Sequence, residues 1–219
     1  MKKILIAVPC MDQVPAQFAS SLATLTKIEA CVVAFQIGSL IYTSRENLAV
    51  EAIKREADYI LWLDSDMIFT PDTLQRLMAD LETLGEGAIV SGLYFRRVAP
   101  FTPVLFEQLD VDDEGVCTWK DFDDIPEKEI FEVAGCGFGC VLMPTAACMD
   151  ILATGDTMFT PVSGVGEDLS FCWRARKQGW KFYCDPKIEC GHVGHTVIMR
   201  SYWKDYQAFI EAQKAEETN

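Results

Sequence analysis

Five apolar or aromatic residues, Tyr59-Ile60-Leu61-Trp62-Leu63, run directly into Asp64-Ser65-Asp66. A run of that length reads as a buried strand. Two carboxylates at its end need water, a cation or a basic partner, because an unpaired buried charge is costly. A divalent cation would satisfy both at once, and hard carboxylate oxygens suit Mg²⁺ or Mn²⁺, which also accept phosphate oxygens as ligands. Context singles this pair out. The chain has 17 aspartates in 219 residues, and short motifs recur by chance, here roughly once. Asp110-Val111-Asp112 and Asp121-Phe122-Asp123 match as well. They sit in an acidic, polar stretch and read as solvated loop charge with no strand ahead of them.

Other residues could join this chemistry. Arg45 and Asn47 lie at a predicted helix start, and an arginine can fork onto a carboxylate or a phosphate, or simply be a solvated helix residue. Pro9 and Asp12 follow the first predicted strand, where a turn explains both equally well. Glu167-Asp168 opens a helix after Gly164-Val165-Gly166, a place where the helix dipole alone favours acids. His192 and His195 are the only histidines, in Cys190-Gly191-His192-Val193-Gly194-His195. Cys184, Cys190, His192 and His195 could instead form a Cys₂His₂ zinc site, although one residue between Cys190 and His192 makes tetrahedral chelation awkward.

The elements that must position these residues alternate. Strands are expected at 4–8, 30–35, Tyr59–Leu63 and Ala88–Leu93. Helices are expected at 15–27, at 44–57 with Ser44 as N-cap and a Glu51–Arg55 pair, and from Thr70 as cap with Pro71 first and Gly85 at the end. Such alternation predicts a parallel sheet covered by helices on both faces, with ligands beyond the carboxyl ends of the strands. After residue 100 the pattern loosens. A strand at 102–106 leads into an acidic stretch, 107–130, that reads as a surface loop or hairpin. Val133 to Met143 is rich in glycine, as Gly135-Cys136-Gly137-Phe138-Gly139, and without a following helix it is no nucleotide fingerprint. Helices at 144–153 and 167–178, short strands at 180–184 and 187–192, and an aromatic helix at 201–214 complete the chain.

Composition narrows the options. Half of the residues are hydrophobic and the net charge is −14, enough for one sizeable core and against nucleic-acid or anionic-membrane partners. No stretch reaches the length of a membrane span. Nine scattered cysteines fit reduced thiols in a cytoplasmic protein rather than a disulfide framework.

Residues 38–106 resemble small, family 2-like glycosyltransferases of the GT-A fold. The matching segments are Gly38-Ser39-Leu40-Ile41, Ser44-Arg45-Glu46-Asn47, Leu63-Asp64-Ser65-Asp66-Met67-Ile68-Phe69 and Gly92-Leu93-Tyr94-Phe95-Arg96-Arg97. Gly135–Gly139, Gly166-Glu167-Asp168 and Gly191-His192 follow in the family's order. The resemblance implies an α/β, Rossmann-like, mostly parallel mixed sheet in a single domain, 1–219. Residues 1–106 would be its nucleotide-sugar half and 107–219 its acceptor and catalytic half. It implies transfer of a sugar from a nucleoside diphosphate sugar, UDP-linked ahead of GDP-linked, to an acceptor hydroxyl. By the same resemblance Asp66 binds Mn²⁺ or Mg²⁺ with His192 as a further ligand and His195 as fallback. Asp64 meets the ribose or the metal's hydration shell. Pro9, Asp12, Arg45, Asn47 and Ser65 contact the nucleotide, and Arg97 or Arg96 adds charge at the phosphates. Asp168 is then the general base of an inverting reaction, positioned by Glu167, and the glycine-rich run lies near the sugar. A sugar nucleotidyltransferase and a zinc-stabilised binding module are the alternatives. Pro9-Cys10-Met11-Asp12 counts against the first, because a Gly-rich basic loop is expected there.

Overall fold

Asp64 and Asp66 lie just beyond the end of a strand, Tyr59–Leu63. The computed structural model describes residues 2–27, 30–38, 40–194 and 196–217. β1 (Ile4–Cys10), α1 (Ala16–Thr24), β2 (Cys31–Ile37), α2 (Ile41–Lys54) and β3 (Tyr59–Leu63) open the chain. β4 (Met67–Ile68), α3 (Thr73–Leu84) and β5 (Ala88–Leu93) follow, then β6 (Leu105–Val111), β7 (Cys117–Asp121), β8 (Phe131–Val133), β9 (Gly135–Cys136) and β10 (Cys140–Pro144). α4 (Ala146–Ala153), α5 (Glu167–Lys177), β11 (Lys181–Glu189), β12 (Gly191–Val193), β13 (Val197–Ile198) and α6 (Arg200–Glu217) close it.

The main sheet has the order β2-β1-β3-β10-β5-β11-β8. β1 pairs in parallel with β2 and β3, and β11 with β5. β10 runs antiparallel between β3 and β5, and β8 antiparallel beside β11. The result is the mostly parallel mixed sheet of a single GT-A domain. β10 and β11 come from the second half of the chain, so both halves share one sheet.

Alternation within β1 explains the two-faced core. Leu5 and Ala7 pack toward α2 and the aromatic cluster, with Leu48, Ala49, Ala52, Trp62, Phe138 and Phe171. Ile4, Ile6 and Val8 pack on the other face, with Phe18 of α1 and Leu74, Leu77 and Leu81 of α3. Trp62 is fully buried and meets Phe159 edge-on at 5.3 Å. Truncating such a side chain to alanine costs about 3–5 kcal/mol.

β3 and β5 have the predicted bounds, and every residue in them but Tyr59 is buried. Helix starts differ. α2 begins at Ile41, so Ser44 lies buried within its first turn and is no N-cap. The Glu51–Arg55 pair forms, at 2.6 Å. α3 begins at Thr73, and Thr70, Pro71 and Asp72 form the turn before it. Thr70 Oγ1 donates to Asp72 Oδ1 at 2.5 Å instead of capping the helix. Gly85 ends α3 at φ +84°, a conformation suited to glycine.

The acidic stretch is a hairpin of β6 and β7, with β9 on the far side of β6. Asp110 lies within β6 and Asp121 ends β7, which corrects the expectation of strandless loops. Leu105, Phe106 and Leu109 are buried while Glu107, Gln108 and Asp110 face solvent. The apolar positions were too sparse to register as a strand. The two short strands expected near 180–192 are one strand, β11, bulged between Asp185 and Glu189, followed by β12. On α6, Trp203 is buried and stacks near Phe95 at 5.7 Å, whereas Phe209 is 55% exposed. No described helix is long and apolar enough to cross a membrane.

Candidate active site

Beyond the ends of β1, β2 and β3 lies a cleft of about 550 Å³, within the range of ligand pockets. Pro9, Cys10, Met11, Gly38 and Ile41 line one side. Asp64, Ser65 and Asp66 form its floor, and Tyr94, Arg96, Arg97, Val98, Val104 and His192 close the other side. Pro9, Asp64, Ser65, Asp66, Arg97 and His192 are thus brought together from four separate segments. Asp12 and Asn47 are exposed and do not line the cleft.

The turn holding the acids is pinned by backbone bonds. Asp64 N donates to Gly139 O at 3.1 Å, Met67 N to Asp64 O at 3.1 Å, and Val193 N to Asp66 O at 2.8 Å. β4 pairs antiparallel with β12, placing His192 opposite Met67. His192 Nε2 then lies 3.5 Å from Asp66 Oδ2. Its Nδ1 lies 2.8 Å from the Phe95 carbonyl. A carbonyl only accepts, so Nδ1 carries a proton, and Nε2 is the ring nitrogen that faces Asp66. A histidine oriented this way by a backbone carbonyl is typical of metal ligands. Arg97 Nη1 meets the same Asp66 oxygen at 3.0 Å. Burial pushes the Asp66 carboxyl up, but His192 and Arg97 outweigh that and hold it below the ordinary range.

Asp64 is held differently. Arg45, 2% exposed, donates from Nη2 to Asp64 Oδ1 at 2.9 Å and from Nε to Glu167 Oε1 at 3.0 Å. Its guanidinium lies 5.6 Å from the Trp62 ring and 5.5 Å from the Phe138 ring. Nη1 is buried without a hydrogen-bond partner. Arg45 is therefore buried behind the cleft, where it supports the acid turn and joins it to the start of α5. Burial raises the Asp64 carboxyl, and Arg45 offsets part of that.

Next to Glu167, Asp168 Oδ1 accepts from the Leu169 N–H at 2.8 Å. Burial foremost, and then the Glu167 charge, push its carboxyl up to about 6, against an opposing pull from Arg45. Asp168 is not among the cleft-lining residues.

The glycine-rich run has an internal reason. A Cβ at Gly137 would stand 2.0 Å from the Tyr94 hydroxyl, and one at Gly139 2.8 Å from the same ring. At Gly135 it would meet Leu169 at 2.9 Å. These glycines make room for the protein's own side chains. The Tyr94 hydroxyl accepts from Gly139 N at 3.1 Å, and its ring meets His192 edge-on at 5.5 Å.

Two residues of the site were not legible in sequence. Tyr94 supports both His192 and the Asp64 turn from the end of β5. Glu46 accepts from the backbone N–H groups of Met158 and Phe159, at 3.3 and 2.8 Å, and so fixes the segment leading to α5. Its place beside Arg45 is the only local signal it carries.

The zinc alternative fits poorly. Cys184 and Cys190 are fully buried in the core, on β11 and in the turn after it. Burial pushes the Cys184 thiol well up, and a bond with Cys140, then burial, does so for Cys190, opposite to a thiolate metal ligand. His195 lies outside the described residues. Among the described residues no group of three or more His, Cys, Asp or Glu side chains converges closely enough to hold a metal ion unaided.

The sheet order and the acid turn beyond β3 are those of the GT-A fold. A family model described as glycosyl transferase family 2 matches residues 47–140, so the chain is family 2-like over the stretch that carries Asp64, Asp66, Tyr94 and Arg97. The match does not extend to Arg45, Glu167, Asp168 or His192. Among solved structures, the A197 protein from STIV is similar at TM-score 0.62 and 18% identity, over 89% of this chain and 86% of that one. GalNAc-T7, crystallised with UDP, GalNAc and Mn²⁺, is similar at TM-score 0.59 and 10% identity. That likeness covers 89% of this chain but spans only 44% of the length of GalNAc-T7. At those identities the likeness is one of fold. No curated protein matches by sequence.

Proposed function

We propose that the chain moves a sugar from a nucleoside diphosphate sugar to an acceptor hydroxyl, with a divalent cation and inversion at the anomeric carbon. The observation that carries this is the convergence of Asp66 and His192 beside Asp64, from segments far apart in sequence, with His192 Nε2 facing a carboxylate oxygen of Asp66. That donor set of oxygens and one nitrogen suits Mn²⁺, and Mg²⁺ less well. Asp66 and His192 would hold the ion, with Asp64 beside them. When bound, the ion supplies positive charge against the leaving diphosphate.

The chain's own residues do the rest. Pro9, Ser65 and the apolar wall of Met11 and Ile41 are suited to a nucleoside, and Arg96 and Arg97 to phosphate oxygens. UDP is the first candidate for the nucleotide and GDP the second. The acceptor oxygen attacks the anomeric carbon as the bond to the diphosphate oxygen breaks, and that oxygen leaves with the electron pair. Asp168 takes the acceptor's proton. A carboxylate raised to about 6 suits that task, since a general base works best with a pKa near the working pH. Glu167, held by Arg45, positions Asp168. Residues 1–106 then supply most of the donor site, and 107–219 supply the base and the acceptor side. Nine cysteines, most of them buried, support a reducing compartment such as the cytoplasm.

A thermal-shift panel tests the proposal, with UDP-, GDP-, CDP- and dTDP-sugars in the presence and absence of Mn²⁺. Stabilisation should require the metal together with one nucleotide, and Asp66→Ala should lose it. Equal shifts in wild type and variant would remove the site assignment.

A further inference from the structure

One carboxylate oxygen, Asp66 Oδ2, already carries a guanidinium at 3.0 Å and an imidazole nitrogen at 3.5 Å. Arg97 therefore sits where a bound cation would need to be. It is weakly anchored there. Half of its side chain is exposed, and its other bond, from Nη1 to the Val193 carbonyl, is long at 3.5 Å. A half-exposed ion pair of this sort is readily given up.

We propose that Arg97 couples metal binding to donor binding. It occupies Asp66 while the cleft lacks a cation, and transfers to the diphosphate when cation and nucleotide arrive together. The inference rests on the metal-dependent reading above. A guanidinium and a divalent cation repel one another at one oxygen, so cation binding to the chain alone must work against Arg97. A diphosphate removes that opposition, because it offers the displaced guanidinium a forked anionic partner. Arg97 lines the cleft, so a side-chain rotation can bring it there. The coupling is reciprocal: the nucleotide tightens the cation as much as the cation tightens the nucleotide. Arg97 thereby acts against the empty-handed cation and in favour of the loaded pair.

The test is Mn²⁺ binding, read from the electron paramagnetic resonance signal of the free ion. It is run on wild type, Arg97→Gln, Arg97→Ala and Arg97→Lys, with and without the nucleoside diphosphate that the panel selects. Without nucleotide, Arg97→Gln and Arg97→Ala should bind Mn²⁺ about three- to ten-fold more tightly than wild type. The tightening by nucleotide should shrink in both by on the order of ten-fold. Arg97→Lys, which keeps the charge, should stay near wild type. If the neutral variants bind Mn²⁺ alone no better than wild type, Arg97 has no such role and the metal site stands. If wild type binds no Mn²⁺ even with nucleotide, the metal-dependent reading fails and takes this inference with it.

Discussion

Asp64 and Asp66 are separated by one residue, and each faces an arginine, yet the two pairs differ in kind. Arg45 is walled in by Trp62 and Phe138 and joins Asp64 to Glu167, which lies 122 positions from Arg45 in sequence. Arg97 stands half in solvent and holds Asp66 by a single oxygen. Burial decides what each can do. A buried charge pair that loses one partner strands the other in a low dielectric, so the arrangement is fixed. An exposed pair is screened and exchangeable, so its members remain free to take another ligand. The first pair is scaffold and the second is the working mouth of the cleft.

The sharpest break in that comparison is at the far end of the scaffold. Asp168→Asn should lower transfer by about 10²- to 10⁴-fold while donor-induced stabilisation persists, as loss of a general base requires. A donor-hydrolysis and transfer assay beside the thermal-shift panel checks both halves, and unchanged turnover dismisses Asp168 as the base. Next comes stability. Arg45→Ala leaves Asp64 and Glu167 without their cation, at a cost of about 3–5 kcal/mol, or a melting temperature lower by about 6–20 °C in a domain this size. Arg97→Ala should move it by no more than about 4 °C. Calorimetry that gave the two variants similar losses would erase the distinction drawn here.

A smaller effect follows from protons. Asp168 rises from an ordinary 3.8 to about 6. The folded chain therefore holds a proton there that the unfolded chain has released between pH 4 and 6, and stability contributed by this site falls as pH rises through that window. Asp168→Asn removes the penalty, so the variant should melt higher than wild type at pH 7 and lose that advantage below pH 4. Wild-type kcat/KM should rise with pH through about 6 as the base is freed. A melting series from pH 4 to 8 and a pH–rate profile measure the two. An acid limb absent near pH 6 would argue for another base. Smallest of all, Arg45→Lys should recover only part of the stability lost in Arg45→Ala, since an ammonium cannot reproduce two directed bonds to separate carboxylates.

Sequence exposed one side of the comparison better than the other. The strand entering Asp64 was legible because five consecutive residues are apolar or aromatic, and β5 because Ala88-Ile89-Val90 follows the end of a helix. His192 could be singled out because its place at the expected end of a short strand, before Val193-Gly194, resembles the family pattern; it lies inside β12. The Arg45–Glu167 bond could not be read, because nothing in local pattern links positions 122 apart. The same limit hid Glu46, whose partners are backbone groups of another segment. Helix starts were misplaced where Ser44 and Thr70 offered capping chemistry that the chain does not use: Ser44 is buried, and the Thr70 hydroxyl turns to Asp72. The glycines at 137 and 139 were visible, but their reason, the ring of Tyr94, lies more than 40 residues upstream.

The insertion of β10 between β3 and β5 also constrains how the protein is made. Residues 59–63 and 88–93 leave the ribosome well before residues 140–144, and until the later segment arrives both expose unpaired edges. Domains generally fold as units, and non-local pairings delay that step. A nascent chain halted near residue 110 should thus be a client for chaperones and proteases, whereas one extended past residue 189 can close the sheet.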